Sequence, residues 1–457
     1  MKFIKKFIIA IALFSVIKIL AVLFLPARSS YASDFTPPSP ISTSSRISNS
    51  EVSSQYFSSI DTEVAKFLKK RQIVGASIAV SKDGKLVMAK GYGYADKESL
   101  IPVEPFNLFR IASVSKLITA VGVMKLCETG KLSIDTKVFG PNGILKDSIF
   151  LTYKDKRFED ITVGQLLNHS GGWNNRYGDP AFMPAYIASQ LNIPLPITDT
   201  DIIRFMMTKR LHFTPGTSST YSNFGYQILG RVIEEVSNTS YEEYIKTNIL
   251  FPIGIFDMKL GHSYLEEREP LEVKYYETSG LDLVADYQDP TKMVARCYGG
   301  NDIRTLGSAG GWIASSTDLL KLTLAIDGNP SPSDILSSES ISKMVTPVAE
   351  HFSPYGWRGV TPNGTWYRTG TLSGSSVMIT HRPDGISYVF VVNTSTYKGP
   401  DLAYELQRVA ERGLLGITEW PAVDLFELDK SFTTPMKMSD IQAINEKYPA
   451  SSEDLFY

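Results

Sequence analysis

The sequence predicts an α+β fold: one mixed sheet closed by the N- and C-terminal parts of the chain, with the middle forming a second, helical lobe. Three observations predict it. Short β-rich runs lie near both ends, at 75–94 and again from 355 to 393. Between them, apolar residues recur at helical spacing. Helical segments at 63–71 and 401–412 flank the strand-rich parts. A cleft between the lobes is the expected place for an active site.

In chain order, Lys2, Lys5 and Lys6 precede an apolar run at 7–25 interrupted by Lys18, and Ser30-Tyr31-Ala32 resembles a small-x-Ala cleavage site. Residues 1–32 therefore read as a secretory signal peptide or, since the run approaches spanning length, an uncleaved membrane anchor. Either way the chain is expected to be exported, periplasmic or extracytoplasmic, and to meet a membrane only through this segment. Residues 33–55 are rich in Ser, Pro and Thr and read as a flexible tether. The folded domain is expected over 56–425, with its helical lobe at about 113–350, and the tail 426–457 is unassigned.

Within the domain, Asp83-Gly84 between two β-rich runs, 75–81 and 86–94, signals a hairpin. A helix is expected from Ser113 to about Glu128, with apolar Val114, Leu117, Ile118, Val121 and Met124 in phase and Gly130 as a stop. Further helices are expected at 161–168, 198–209, 223–236 and 241–250, the last with Ser240 and Glu243 as a capping box. Helical segments follow near 315–326 and 340–345. Strands are expected at 355–360, 365–371, 377–381 and 386–393.

Composition excludes several function classes. With 457 residues, 43% hydrophobic, the chain can bury a large core. A net charge of -2 without a basic tract beyond the first residues argues against a nucleic-acid partner. Two cysteines, Cys127 and Cys297, exclude a disulfide framework or a Cys-rich metal site, although they leave a single mutual bridge open. The five histidines show no helical metal spacing, so neither metal nor cofactor is expected. No Gly-x-Ser-x-Gly occurs, which disfavours an α/β-hydrolase elbow.

Three motifs carry chemistry. Ser113-Val114-Ser115-Lys116 places a hydroxyl and an amine on one helical face. A buried amine of lowered pKa can take the serine proton, and the helix N-terminus favours a developing oxyanion. Tyr221-Ser222-Asn223 lies on a loop before a helix. A phenol beside an ammonium can hold and return a proton, and an Asn carboxamide can donate to a substrate carbonyl while accepting from the lysine. Arg368-Thr369-Gly370-Thr371 lies on an expected strand, where a substrate backbone can run along the edge and the Thr371 N–H can join that of Ser113 as oxyanion donor. Taken singly, each motif is as easily a cap, a turn or a strand end.

Their order and separations resemble the serine β-lactamase-related superfamily, in its class C-like branch with Tyr-x-Asn as middle motif. The resemblance covers roughly 60–416. Supporting stretches are Leu166-Leu167-Asn168-His169-Ser170-Gly171-Gly172 and Gly307-Ser308-Ala309-Gly310-Gly311-Trp312. It implies a transpeptidase-like fold: a mainly antiparallel sheet flanked by N- and C-terminal helices, plus an all-helical lobe. It further implies Ser113 as acylated nucleophile, Lys116 as its proton acceptor, Tyr221 as proton shuttle and Asn223 as substrate-positioning donor. Arg368 stands where the family pattern has Lys. It can bind a substrate carboxylate but cannot lose its proton.

The resemblance implies an exported serine hydrolase acting on an ester or amide: a peptidoglycan-derived D-amino-acid peptide, a β-lactam or a small ester. The alternative is a binding or sensor protein of the same fold that acylates without turnover. His169 is expected in a structural turn near the cleft, and 173–177 either lines the cleft or forms a capped loop.

Overall fold

A computed structural model describes residues 46–51, 54–278 and 283–428. The expected signal or anchor, the first part of the tether and nearly all of the tail lie outside the described residues. Among those described, no helix is long and apolar enough to cross a membrane.

Helix α1 (Ser54–Arg71) starts earlier than the 63–71 expected, because Phe57 and Ile60 extend its apolar face across the Ser-rich stretch. Strands β1 (Gly75–Lys82), β2 (Lys85–Asp96) and β3 (Ile101–Pro102) follow, then β4 (Phe109–Arg110). Helix α2 (Ser115–Glu128) carries the first motif. Five helices come next: α3 (Val163–Leu167), α4 (Pro184–Leu191), α5 (Asp199–Met207), α6 (Asn223–Ser237) and α7 (Tyr241–Ile245). Short strands β5 (Lys259–Leu260), β6 (Tyr276–Glu277), β7 (Leu283–Ala285) and β8 (Met293–Ala295) lead to α8 (Ile303–Gly310), β9 (Trp312–Ala314), α9 (Ser316–Leu324) and α10 (Ser338–Val345). The chain closes with β10 (Gly359–Val360), β11 (Trp366–Leu372), β12 (Ser375–His381), β13 (Ile386–Val392), β14 (Thr394–Ser395) and α11 (Asp401–Leu414).

The main sheet has the order β10-β11-β12-β13-β1-β2-β3, and every pair in it is antiparallel. The N-terminal hairpin and the C-terminal meander join where Ala76 pairs with Val392. Alternation along each strand divides two cores. Met378, Tyr388, Phe390 and Val392 face the layer made by α1 and α11. Val377, Ile379, Val389 and Val391 face the helical lobe. That lobe also carries a short three-stranded sheet, β4-β9-β5, and the pair β7-β8.

Helix α2 is buried on nearly every side, and most of the residues it buries are apolar. Gly122 leaves room for Ile245, whose methyl would lie 2.5 Å from an added Cβ. The expected capping box of α7 is half made: Ser240 accepts from the Glu243 N–H. Helices α4 and α8 and the short strands were not expected.

Residues 46–51, within the stretch expected to be a tether, pack on the domain instead. Arg46 pairs with Asp257, and Asn49 donates to the Val103 carbonyl while accepting from the Gly91 N–H. Ile47 enters the core. Cys127 and Cys297 are both free thiols. Burial pushes each up to about 11.

Candidate active site

Ser113 does not sit inside α2 but on the short 3-10 turn Ala112–Val114 that leads into it. Ala112 adopts a left-handed backbone at φ 47, a strained choice for a residue with a Cβ. This bend, between the β4 edge and the buried helix, sets the half-buried Ser113 side chain at the cleft. Strand β11 runs tightly alongside. A Cβ at Gly370 would lie 2.2 Å from the Ile111 carbonyl oxygen and 3.3 Å from the Ser113 nitrogen, so only glycine permits this approach.

Lys116, one turn on, is fully buried. Its Nζ donates to Asn223 Oδ1 at 2.6 Å and to the Ala309 carbonyl at 2.5 Å, and lies 3.5 Å from Ser113 Oγ. Tyr221 reaches the same point from the loop before α6, its hydroxyl 2.6 Å from Ser113 Oγ. Of the two expected proton carriers, the phenol is therefore the nearer to the serine. Asn223, the first residue of α6, is held from both ends: Oδ1 accepts from Lys116, and Nδ2 donates to Asp179 at 2.7 Å.

The electrostatics couple these groups. Burial drives the Lys116 amine below its usual range, and the Arg368 guanidinium adds to the fall while Tyr221 opposes it. Burial alone would raise the Tyr221 phenol, but the Lys116 and Arg368 cations outweigh it and the net shift is downward. The two shifts bring the Lys116 amine and the Tyr221 phenol closer together in proton affinity, and either, when deprotonated, can accept from Ser113.

Arg368 departs from its expected role. It is 1% exposed, and its Nε and Nη2 both donate to the carbonyl oxygen of Ser113, at 2.8 and 2.6 Å. A side chain expected to receive a substrate carboxylate instead grips the backbone of the nucleophile. Thr369 and Thr371 line the cleft beside Ser113.

His169 is buried, with a left-handed backbone at φ 63. Its Nδ1 accepts from the Ser222 N–H at 3.2 Å, and its ring lies 4.8 Å from that of Tyr221. Burial lowers its pKa well below the usual value, reinforced by Lys116, Arg368 and Arg358, so the ring is neutral and serves to seat the Tyr221 loop. Of 173–177, Trp173 belongs to the core, while the Asn175 amide donates to the Tyr221 carbonyl at 3.5 Å.

The cleft measures about 340 Å³. Sequence reasoning missed three of its parts. The Ala309 carbonyl belongs to a stretch singled out only by resemblance, and Arg358 and Asp179 carry no local signal. Among the described residues no cluster of His, Cys, Asp and Glu is arranged to hold a metal ion. Asp179 also accepts from the Ala181 N–H, so its carboxylate is fixed and in turn fixes the Asn223 amide. Asp179→Ala is expected to lower kcat/KM about tenfold, the worth of one charge-assisted hydrogen bond. The acid limb of the pH profile should also move down, because Asp179 raises the Lys116 pKa. Steady-state kinetics across pH check both, and Asp179→Asn should restore part of the rate.

A serine, a buried amine and a phenol converge on one cleft beside a strand edge. The chain belongs to the Beta-lactamase family, whose model matches residues 60–413. It is 27% identical over 331 residues to the putative penicillin-binding protein PbpX of Bacillus subtilis (strain 168), covering 72% of each chain. It is 32% identical over 195 residues to Protein flp of Staphylococcus aureus (strain COL), covering 42% of this chain and 36% of that one. The chain thus spans about a third of that relative. Its fold resembles the octameric penicillin-binding protein homologue from Pyrococcus abyssi, with a TM-score of 0.59 and 28% identity over 80% of this chain and 79% of that one.

Proposed function

We propose that the protein hydrolyses an ester or amide through an acyl-enzyme on Ser113. The observation that carries this reading is the 2.6 Å contact between Ser113 Oγ and Tyr221 OH, made beside a fully buried Lys116. With the shared proton on Lys116, the Tyr221 phenolate takes the Ser113 proton as Oγ attacks the substrate carbonyl. The oxyanion faces the backbone N–H groups of Ser113 and Thr371. Collapse breaks the bond to the leaving group, which receives the proton from Tyr221. Water then attacks the ester, giving its proton to Tyr221, and Ser113 leaves reprotonated with the acid released. Asn223 orients the substrate carbonyl with the amide N–H that Asp179 does not occupy.

The kinship with penicillin-binding proteins supports a D-amino-acid peptide of the cell envelope as substrate, with small esters or β-lactams as further acyl donors. The basic and apolar N-terminus supports export.

The test is release of p-nitrophenol from a p-nitrophenyl ester by the full chain, with intact mass recorded in parallel. Release through a transient adduct on Ser113 is the expected result. An adduct that never clears would favour the sensor, and neither release nor adduct, with a penicillin or fluorophosphonate also tried, would sink the assignment.

The pH profile follows from the shared proton. As pH falls, the Lys116–Tyr221 pair gains a second proton, Ser113 loses its acceptor and kcat/KM declines. As pH rises, the last proton of the pair is lost, and with it the Lys116 charge that stabilises the Tyr221 phenolate and the developing oxyanion. A bell is expected, with its acid limb below the ordinary tyrosine value of about 10. A profile with no acid limb anywhere below the ordinary tyrosine value would remove Tyr221 and Lys116 from proton transfer.

A further inference from the structure

The Lys116 amine is tetrahedral, and two of its three free directions are taken. Its Nζ donates to Asn223 Oδ1 and to the Ala309 carbonyl, which leaves one direction, proton or lone pair, towards Ser113 Oγ. The aim of that third direction depends on where the two acceptors sit. Asn223 is held by Asp179. Ala309 lies in an irregular turn: Gly307, two residues before it, adopts φ 25 and ψ -106 and breaks α8. Such a turn persists only where its surroundings hold it. Here a line of buried donors does so. The Trp312 indole N–H, which can only donate, gives to the Tyr241 hydroxyl at 2.9 Å. That hydroxyl lies 2.7 Å from Thr119 Oγ1, and Thr119 donates to the Ser308 carbonyl at 2.6 Å. Thr119 and Trp312 are fully buried and Tyr241 is 6% exposed.

We infer that Thr119 is a positioning residue for proton transfer at Ser113: it fixes the Ser308–Ala309 turn against α2, and the Ala309 carbonyl so placed aims the Lys116 amine. The inference rests on the reading of Ser113 as the acylated residue and of Lys116 as part of its proton relay. The threonine hydroxyl has one proton to give, and the order of the line commits it. With Tyr241 accepting from Trp312, the phenol proton points to Thr119 Oγ1, so the threonine proton goes to the Ser308 carbonyl. The competing acceptor, the Ser115 carbonyl within the same helix, is farther off at 3.1 Å. Ser308 is tied a second time, its Oγ donating to the Tyr226 carbonyl of α6 at 2.8 Å. Helices α2 and α6 therefore clamp the turn from two sides, and the same two helices carry Lys116 and Asn223. The amine and both of its acceptors are thus fixed to one frame.

Kinetics of the full chain with p-nitrophenyl acetate across pH test this. Thr119→Val removes the hydroxyl and nearly keeps the shape, and is expected to lower kcat about tenfold with KM changed less than about twofold. The acid limb should move down, because a carbonyl that drifts away no longer stabilises the charged amine. The titratable and charged groups facing that amine, Tyr221, Arg368, Asp179, Tyr226 and His169, are left in place by the substitution. Thr119→Ser should recover most of the rate. In a Lys116→Met background, Thr119→Val should change kcat/KM less than about twofold, since a residue that acts through the amine then has nothing to aim. Should Thr119→Val fail to fold, Tyr241→Phe cuts the line one link earlier and is expected to lower kcat about threefold, with the limb moving the same way. A wild-type rate in the folded variant overturns the inference. So does an acid limb that stays in place, or a loss equally large in the Lys116→Met background. Failure of the underlying reading looks different: no mass adduct on Ser113 of the wild-type chain, and no loss of rate in Lys116→Met alone.

Discussion

Ser113→Ala is expected to reduce ester turnover by at least about 10⁴-fold and to erase the acyl adduct, while leaving the melting temperature nearly unchanged. The two outcomes separate because the serine side chain and its backbone serve different ends. Oγ bonds only to Tyr221 and Lys116, both parts of the chemistry. The structural anchorage runs through the carbonyl, which accepts from Arg368 and survives the substitution. The half-buried hydroxyl leaves a gap smaller than a methyl group, so the packing loss stays near or below 1 kcal/mol. Thermal unfolding and intact mass, measured on the same sample, check the pair of outcomes. A variant that melts far earlier would mean that Oγ holds the turn together.

Lys116→Met is expected to lower kcat/KM about 10³-fold and to shift what remains towards higher pH. The substitution keeps the volume of the stem but removes the donor to Asn223 Oδ1 and the Ala309 carbonyl. The Ala309 carbonyl left without this donor costs about 1–3 kcal/mol, whereas Asn223 Oδ1 keeps the Tyr221 hydroxyl at 3.4 Å. Removing a desolvated amine that faces Arg368 offsets part of this. Stability should therefore change by only a few kcal/mol, against about 4 kcal/mol in the barrier. The pH signature is the sharper test. Lys116 is the foremost of the groups that lower the Tyr221 pKa, so without it the phenol ionises later and the acid limb moves up. A limb that stays in place would show that Tyr221 does not carry the proton.

The sequence was informative where chemistry depends on near neighbours. Ser113 and Lys116, three residues apart, had to meet on one helical face, and Tyr221 and Asn223 had to flank the start of a helix. The strands expected at 377–381 and 386–393 were marked by β-branched runs, and the structure has them at Ser375–His381 and Ile386–Val392. The fate of Arg368 had no such signal, because its partner carbonyl lies 255 residues away and depends on β11 sliding against the Ile111–Ser113 turn. Asp179 escaped for the same reason: a lone acid in a loop acquires meaning only when α6 delivers Asn223 to it. Helix α8 was hidden by its glycines, one of which, Gly307, bends the chain at φ 25. The start of α1 was masked by serines that compositionally belong to a tether.

The seam between Ala76 and Val392 also bears on how the protein is made. A ribosome adding about 5–20 residues per second takes about 13–50 s to travel from Ser113 to Arg368. Throughout that interval the nucleophile turn lacks its guanidinium grip and its flanking strand, and β1 lacks a neighbour on one side. Helix α2, buried on nearly every side in the finished fold, meanwhile has only part of its final surroundings. The nascent chain therefore carries the reactive serine long before it carries an active site. The cleft around Ser113 is completed late, with the last three strands of the main sheet.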